Sequence, residues 1–264
     1  MEVKRYARIF RQAAINRFAL YSASRADLVT FIFGKFVRMG FFILLAVSLF
    51  NHTDTLVGFS EAEVLLFFSV MNMVDVLIQV LWYRGMYNLR EWIKRGKFDA
   101  FLIQPVSPLF KIAAMQLDLF DIITLPVAVA YIAIVWTQLP TQPDLIMALT
   151  AAAFFVLSMI LAFSINLCIA STAFWIQENE GAWALFRDSI YVARFPSEIF
   201  PDAIRLAFTF VIPILAIVAF PTRALLGSIN PTMLIWAALL TGAWLLLAIT
   251  LWRKGLRHYT SASG

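Results

Sequence analysis

From Leu145 to Gln177 the chain carries no charged side chain. A helix of about 20 predominantly apolar residues crosses the hydrocarbon core of a bilayer, so this run exceeds a perpendicular crossing and must tilt, kink or project beyond it. In water, a helix apolar all round would need a large protein core to surround it. The rest of the chain supplies no such core: 62% of the 264 residues are apolar and 14% charged, against roughly 45–50% and about 25% in soluble domains. The expectation is an all-α integral membrane protein, one transmembrane domain over residues 1–264 with no separate soluble domain.

Apolar length places spans at about Leu28–Phe50, Val64–Leu81, Ile112–Trp136, Leu145–Trp175, Leu206–Phe220 and Met233–Trp252. The fifth has a rival. Ala182–Phe195 reads as a shorter, more polar span buried among other helices, which leaves residues 193–231 as a re-entrant region on the far side. Pro196, Pro201 and Pro213, with Glu198 between the first two, suit such a broken segment, because irregular backbone at membrane depth is tolerated only where protein or water covers it. Both versions keep six spans and put the two termini on one side.

Basic residues choose the side. Lys4, Arg5, Arg8, Arg11, Arg17 and Arg25 precede span one; Arg84, Arg90, Lys94, Arg95, Lys97 and Lys111 follow span two; Arg253, Lys254 and Arg257 end the chain. The loops Asn51–Ala62 and Thr137–Pro143 have no Lys or Arg. Cytoplasmic loops carry the positive excess, so both termini are expected in the cytoplasm. The net charge of +5 is therefore orientation, not a nucleic-acid surface. Residues 1–27 read as a basic amphipathic helix in the headgroup plane, with Val3, Tyr6, Phe10 and Ala13 on one face. No cleavable secretory pattern follows the basic start. One cysteine, Cys168, and two distant histidines, His52 and His258, offer no disulfide framework and no metal site.

Residues 82–111 form the most informative loop. It is far longer than the loops opposite and apolar enough to bury a face. Arg90–Lys94 reads as a helix end with Gly96 as its cap, Asp99–Ile103 as a short turn, and Pro105 and Pro108 as helix stops before span three. A second feature is charge within the spans. Lys35, Arg38, Asp75, Asp118 and Asp121 are expected to share one layer about 10–15 Å in from the cytoplasmic end, with Asp118 and Asp121 on one helix face. Such residues are expensive in a membrane. They read either as an ion-pair network tying spans one to three together, or as the lining of a substrate entrance.

The run Arg95–Phe110, R-G-K-F-D-A-F-L-I-Q-P-V-S-P-L-F, carries a glycine, an aspartate and a P-x-x-P pair. It resembles the signature of bacterial ATP-binding-cassette (ABC) exporter permeases of the type-2 class. So do Ala193–Pro201, Phe208–Pro213, Pro221–Gly227 and Gly255–Ser263, in register with six spans. That resemblance implies a six-helix permease in a bacterial inner membrane, paired with a second permease, homologous or identical. It implies a coupling helix in residues 82–111, with Trp92, Arg95, Lys97, Phe98, Asp99, Phe101, Gln104, Pro105 and Pro108 docking on a cytoplasmic ABC ATPase dimer. It also favours the re-entrant version of span five. ATP and Mg would sit on the partner, none on this chain. The sequence agrees on one point independently: no G-x-x-x-x-G-K-[ST] phosphate loop occurs, and Gly34-Lys35 and Gly96-Lys97 are each followed by Phe. The alternatives are an ion-coupled carrier using the buried charges, and a lipid-modifying membrane enzyme for which Asp118 with Asp121 is the nearest candidate pair.

Overall fold

In a computed structural model the described residues are 8–12, 15, 25–176, 178–230 and 232–260. Residues 8–12 and 15 are helical; the rest of the amphipathic N-terminal segment read from residues 1–27 lies outside the described residues, apart from the start of the first long helix. In chain order the elements are α1 (Arg25–Phe50), α2 (Glu61–Ile78), a π turn (Gln79–Tyr83), α3 (Arg84–Lys94), α4 (Asp99–Leu102), α5 (Pro108–Ala114) and α6 (Leu119–Gln138). Then follow α7 (Leu145–Ser171), a 3-10 turn (Thr172–Phe174), α8 (Glu180–Val192), a second 3-10 turn (Ser197–Ile199) and α9 (Asp202–Leu206) with a π turn (Ala207–Val211). α10 (Ile214–Leu225) and α11 (Met233–His258) complete the chain. Among the described residues there is no strand beyond an isolated bridge, Leu56 to Phe59.

Among the described residues five helices are long and apolar enough to cross a membrane: Val29–Phe50, Glu61–Lys94, Asp121–Gln138, Leu145–Phe174 and Met233–His258. The uncharged α7 is the pillar, packed along α11 on one side and α10 on another. Helix starts at the end opposite the basic loop are fixed by side chains. Asp144 accepts the Met147 amide at 2.7 Å, and Glu63 reaches back to the Ser60 amide at 2.8 Å, so donors that have no helical partner are satisfied. Of the span-length helices the most buried is the one that begins with α2, where Leu66, Phe67 and Val74 are fully covered. α1 stands at the edge: Phe33, Phe41 and Leu44 are exposed, while Phe42 stacks on Phe68 and meets Phe195.

Three spans differ from the hydropathy reading. Span two does not end at Leu81. The π turn carries the helix into α3, so Glu61–Lys94 forms one rod of 34 residues, because α3 is amphipathic and buries Gly85, Met86 and Leu89. Span three begins at Leu119, not Ile112. Pro108 opens α5 as its first residue instead of stopping a helix, and the chain then breaks at residues 115–118, where the Asp118 amide turns to the Val80 carbonyl at 3.4 Å. The apolar run Leu206–Phe220 is not one helix. It divides before Pro213, and the two arms, Asp202–Val211 and Ile214–Leu225, bend by 92°. α8, of 13 residues, reaches only about 20 Å at 1.5 Å per residue.

Gly85 decides how closely the rod approaches α5. A Cβ there would lie 1.7 Å from the Ile112 carbonyl oxygen, whereas one at Gly34 meets nothing within 4 Å. Gly85→Val should cost about 3 kcal/mol or block accumulation in the membrane, while Gly34→Ala should be neutral or slightly stabilising; thermal unfolding of the detergent-extracted variants measures both.

Candidate functional site

The end of the bundle carrying the basic loop is built around Phe98. The α3 helix stops at Arg95, Gly96 takes the left-handed conformation (φ 66°), and the chain turns Phe98 inward, where it is fully buried. Its ring meets Phe174 at the end of α7, Trp252 on α11, and Tyr259 just beyond α11. Tyr259 donates its hydroxyl to Asp99 Oδ1 at 2.9 Å. Burial and this carboxylate push the phenol up to about 12, so its contribution is complete below pH ~10 and is lost only as pH rises through the folded value. Lys111, also buried, donates its ammonium to the Phe101 carbonyl at 2.8 Å, capping the short α4; burial lowers its pKa. Trp92 packs on Phe101. Gly255 permits the closing contact, since a Cβ there would sit 2.2 Å from the Phe174 ring.

This divides the residues that the resemblance assigned to docking. Trp92, Phe98, Asp99 and Phe101 turn toward their own chain and hold the loop in shape. Arg95, Lys97, Gln104 and Pro105 lie on the exposed edge, joined by Leu102, which the sequence marks only as part of the loop's apolar face, and by Ile103, which the sequence reading missed and which is 84% exposed. Pro108 is half-buried at the start of α5. The edge is an apolar tip flanked by cations on a stapled base. Arg90 of α3 is also paired with Glu180 of α8, and His258 stacks on Trp175, so α7, α8 and α11 all converge on this end.

Above it lie the intramembrane charges, in pairs. Lys35 of α1 bonds Asp121 of α6, a carboxylate that is almost fully buried. Arg38 reaches Asp75 of α2 at 3.4 Å and donates to the Tyr191 hydroxyl of α8 at 2.5 Å. The third pair corrects the sequence reading. Asp118 sits in the break before α6 and not on a helix face with Asp121; it accepts from Arg84 at 3.1 Å. Arg84 had been counted only as a loop cation. Each carboxylate thus meets its own cation, and Asp118 and Asp121 do not converge on a shared metal position. A narrow crevice of about 40 Å³ runs beside Lys35 and Arg38 toward Asn72 and Thr124.

At the other end, α8 rises to Pro196 and the turn Ser197–Ile199. Pro201 caps α9, and Pro213 caps α10 at the tip between the arms. Glu198 pairs with Arg223 near the end of α10, so the chain leaves and returns at one level, as a hairpin. Gly227, with φ 65°, closes it against Met147 at the start of α7.

Residues 36–263 match the family model described as ABC-2 family transporter protein. The chain belongs to that family. No curated relative and no solved structure matches it. The matched segment takes in the loop end, the hairpin and every member of the ion-pair layer except Lys35, which stands one residue before it.

Removing one member of the best-buried pair should be costly: Asp121→Asn is expected to lose roughly 3–5 kcal/mol, and Lys35→Leu combined with Asp121→Leu should recover most of it. Asp188→Asn, at an exposed pair with Arg187, should change stability by no more than about 0.5 kcal/mol. Denaturation of the purified variants in one detergent provides the comparison.

Proposed function

We propose that this chain is the membrane permease subunit of an ABC exporter, moving a substrate out of the cytoplasm on ATP hydrolysed by a separate ATPase dimer at the loop end. In this reading the membrane is the bacterial inner membrane, both termini are cytoplasmic, and a second permease, homologous or identical, completes the pathway. ATP and Mg belong to the ATPase and supply the closing motion of its two subunits. The observation that carries the reading is the exposed edge Arg95, Lys97, Leu102, Ile103 and Gln104 standing on a base fixed to α7 and α11. Interface cores are apolar with a polar rim, and here an apolar tip is ringed by cations.

A force on that edge is delivered through its attachments. Phe98 ties it to α7 and α11, Lys111 ties α4 to α5, and α3 is continuous with the buried rod. Packed cores respond by discrete rearrangement and not by continuous deformation, so the helices fixed to the base move with it. The substrate shifts this equilibrium only as far as its affinities for the two arrangements differ.

Two variants separate contact from architecture. Ile103→Asp should reduce co-purification of a phosphate-loop ATPase at least about tenfold with an unchanged melting curve. Phe98→Ala should lower stability by about 3–5 kcal/mol and lose the ATPase as a consequence. The measurement is gentle-detergent pull-down of the tagged chain from its host, with mass spectrometry and an ATPase assay of the eluate. Recovery of the chain without any ATPase in several mild detergents would overturn the reading.

A further inference from the structure

The hairpin lines an open cavity of about 330 Å³ that neither the ion-pair layer nor the loop end uses. Part of the lining is apolar: Leu206 and Phe210 from the first arm, Phe220 from the second, and Met233 from the start of α11. Part of it is charged. Glu198, Arg205 and Arg223 all line it, with Ser228 and Asn230 at the connection to α11. The cavity has one carboxylate against two guanidiniums.

The level of this cavity matters. A Cβ at Gly227 would lie 2.7 Å from the Met147 side chain, which stands in the first turn of α7, where the uncharged run begins. The cavity therefore lies near the boundary between polar surroundings and hydrocarbon, and its lining combines apolar side chains with two guanidiniums. The cations have capacity left for a ligand. Arg205 is held by Asp202, whose side chain is 82% exposed, and an exposed pair of this kind is weak. Arg223 bonds Glu198 through one terminal nitrogen, while a guanidinium offers five N–H donors in a planar fork suited to phosphate.

We propose that this cavity binds a bilayer phospholipid, its phosphate between Arg205 and Arg223 and the upper part of an acyl chain against Leu206, Phe210, Phe220 and Met233. The Glu198–Arg223 pair holds the two ends of the hairpin together and fixes the direction of the guanidinium. A ligand that takes up Arg205 and fills the space beside Thr209 braces the first arm against α10 and α11. The proposal is independent of the ATPase reading, because it concerns the opposite end of the bundle.

The test uses the full-length protein, purified in a nonionic detergent and depleted of lipid, with a short-chain phosphatidylglycerol as the probe and intrinsic tryptophan fluorescence and thermal unfolding as readouts. A diacylglycerol of the same chain length and inorganic phosphate are the controls. The phospholipid should bind saturably and raise the melting temperature, with both controls at least about tenfold weaker. Arg205→Gln and Thr209→Trp should each weaken binding about tenfold or more, and Arg205→Gln should leave the unliganded melting curve unchanged. Equal binding of diacylglycerol, equal binding of inorganic phosphate, or parental affinity in both Arg205→Gln and Thr209→Trp would each overturn the proposal.

Discussion

Hydrocarbon offers no hydrogen bonds, so every break in a helix at membrane depth has to be closed by the chain itself. That constraint explains where this chain departs from straight rods. The π turn at Gln79–Tyr83 and the break at residues 115–118 lie together, joined by the Asp118 amide on the Val80 carbonyl and by Arg84 on the Asp118 carboxylate. One irregularity supplies the partner for the other. At the hairpin tip, Pro213 has no amide to satisfy, and the Ile212 amide closes on the Ala207 carbonyl, which makes the preceding turn a π turn. Wide turns of this sort concentrate at functional sites.

The same economy governs charge. Lys35, Arg38 and Arg84 each enter the bundle opposite a carboxylate on another element, and the three pairs link α1, α2, α3 and α6, with Tyr191 adding α8. Buried ion pairs contribute little net stability compared with apolar packing, but losing one partner is severe. They specify which helices are neighbours. α1 depends on them most, since much of its surface is exposed and only a few residues around Phe42 and Ala46 are well covered. The pairs therefore fix the rotation of a helix whose apolar surface would accept many.

Much of this was legible from composition and spacing. Hydropathy located α1, α7 and α11 closely because each is a single uninterrupted helix. The proline-rich stretch after Phe195 marked the region that bends, and Gly96 marked the end of α3. What escaped were features that depend on contacts distant in sequence. Nothing at Gly85 announces that the Ile112 carbonyl will lie against it. Lys111 counts as a loop cation until the fold buries it under Phe101, and Arg84 counts likewise until the π turn directs it to Asp118. Asp118 and Asp121 stand three apart, which implies a common helix face only if a helix contains both; the break after α5 removed that condition. In the loop the aromatic residues draw attention as contact residues, yet in this fold they turn inward, and the exposed apolar tip consists of their less conspicuous neighbours Leu102 and Ile103.

These placements give the molecule a mechanical polarity. The rod Glu61–Lys94 is about 50 Å long at 1.5 Å per residue, well beyond a core of about 30 Å, so its α3 end projects with the stapled loop while its capped start lies at the other end. A rigid rod longer than the slab it crosses converts sideways displacement at the projecting end into tilt. Tilt of α2 must be accommodated where it is pinned, at Asp75 with Arg38 and at Val80 with Asp118. The first pin carries α1 and, through Tyr191, α8; the second lies at the break before α6. The hairpin, by contrast, hangs from α7 and α11 through Gly227 and Met233 and closes on itself through Glu198 and Arg223. The two ends of the bundle are thereby joined through α7 and α11, the helices that carry both the Phe98 staple and the hairpin.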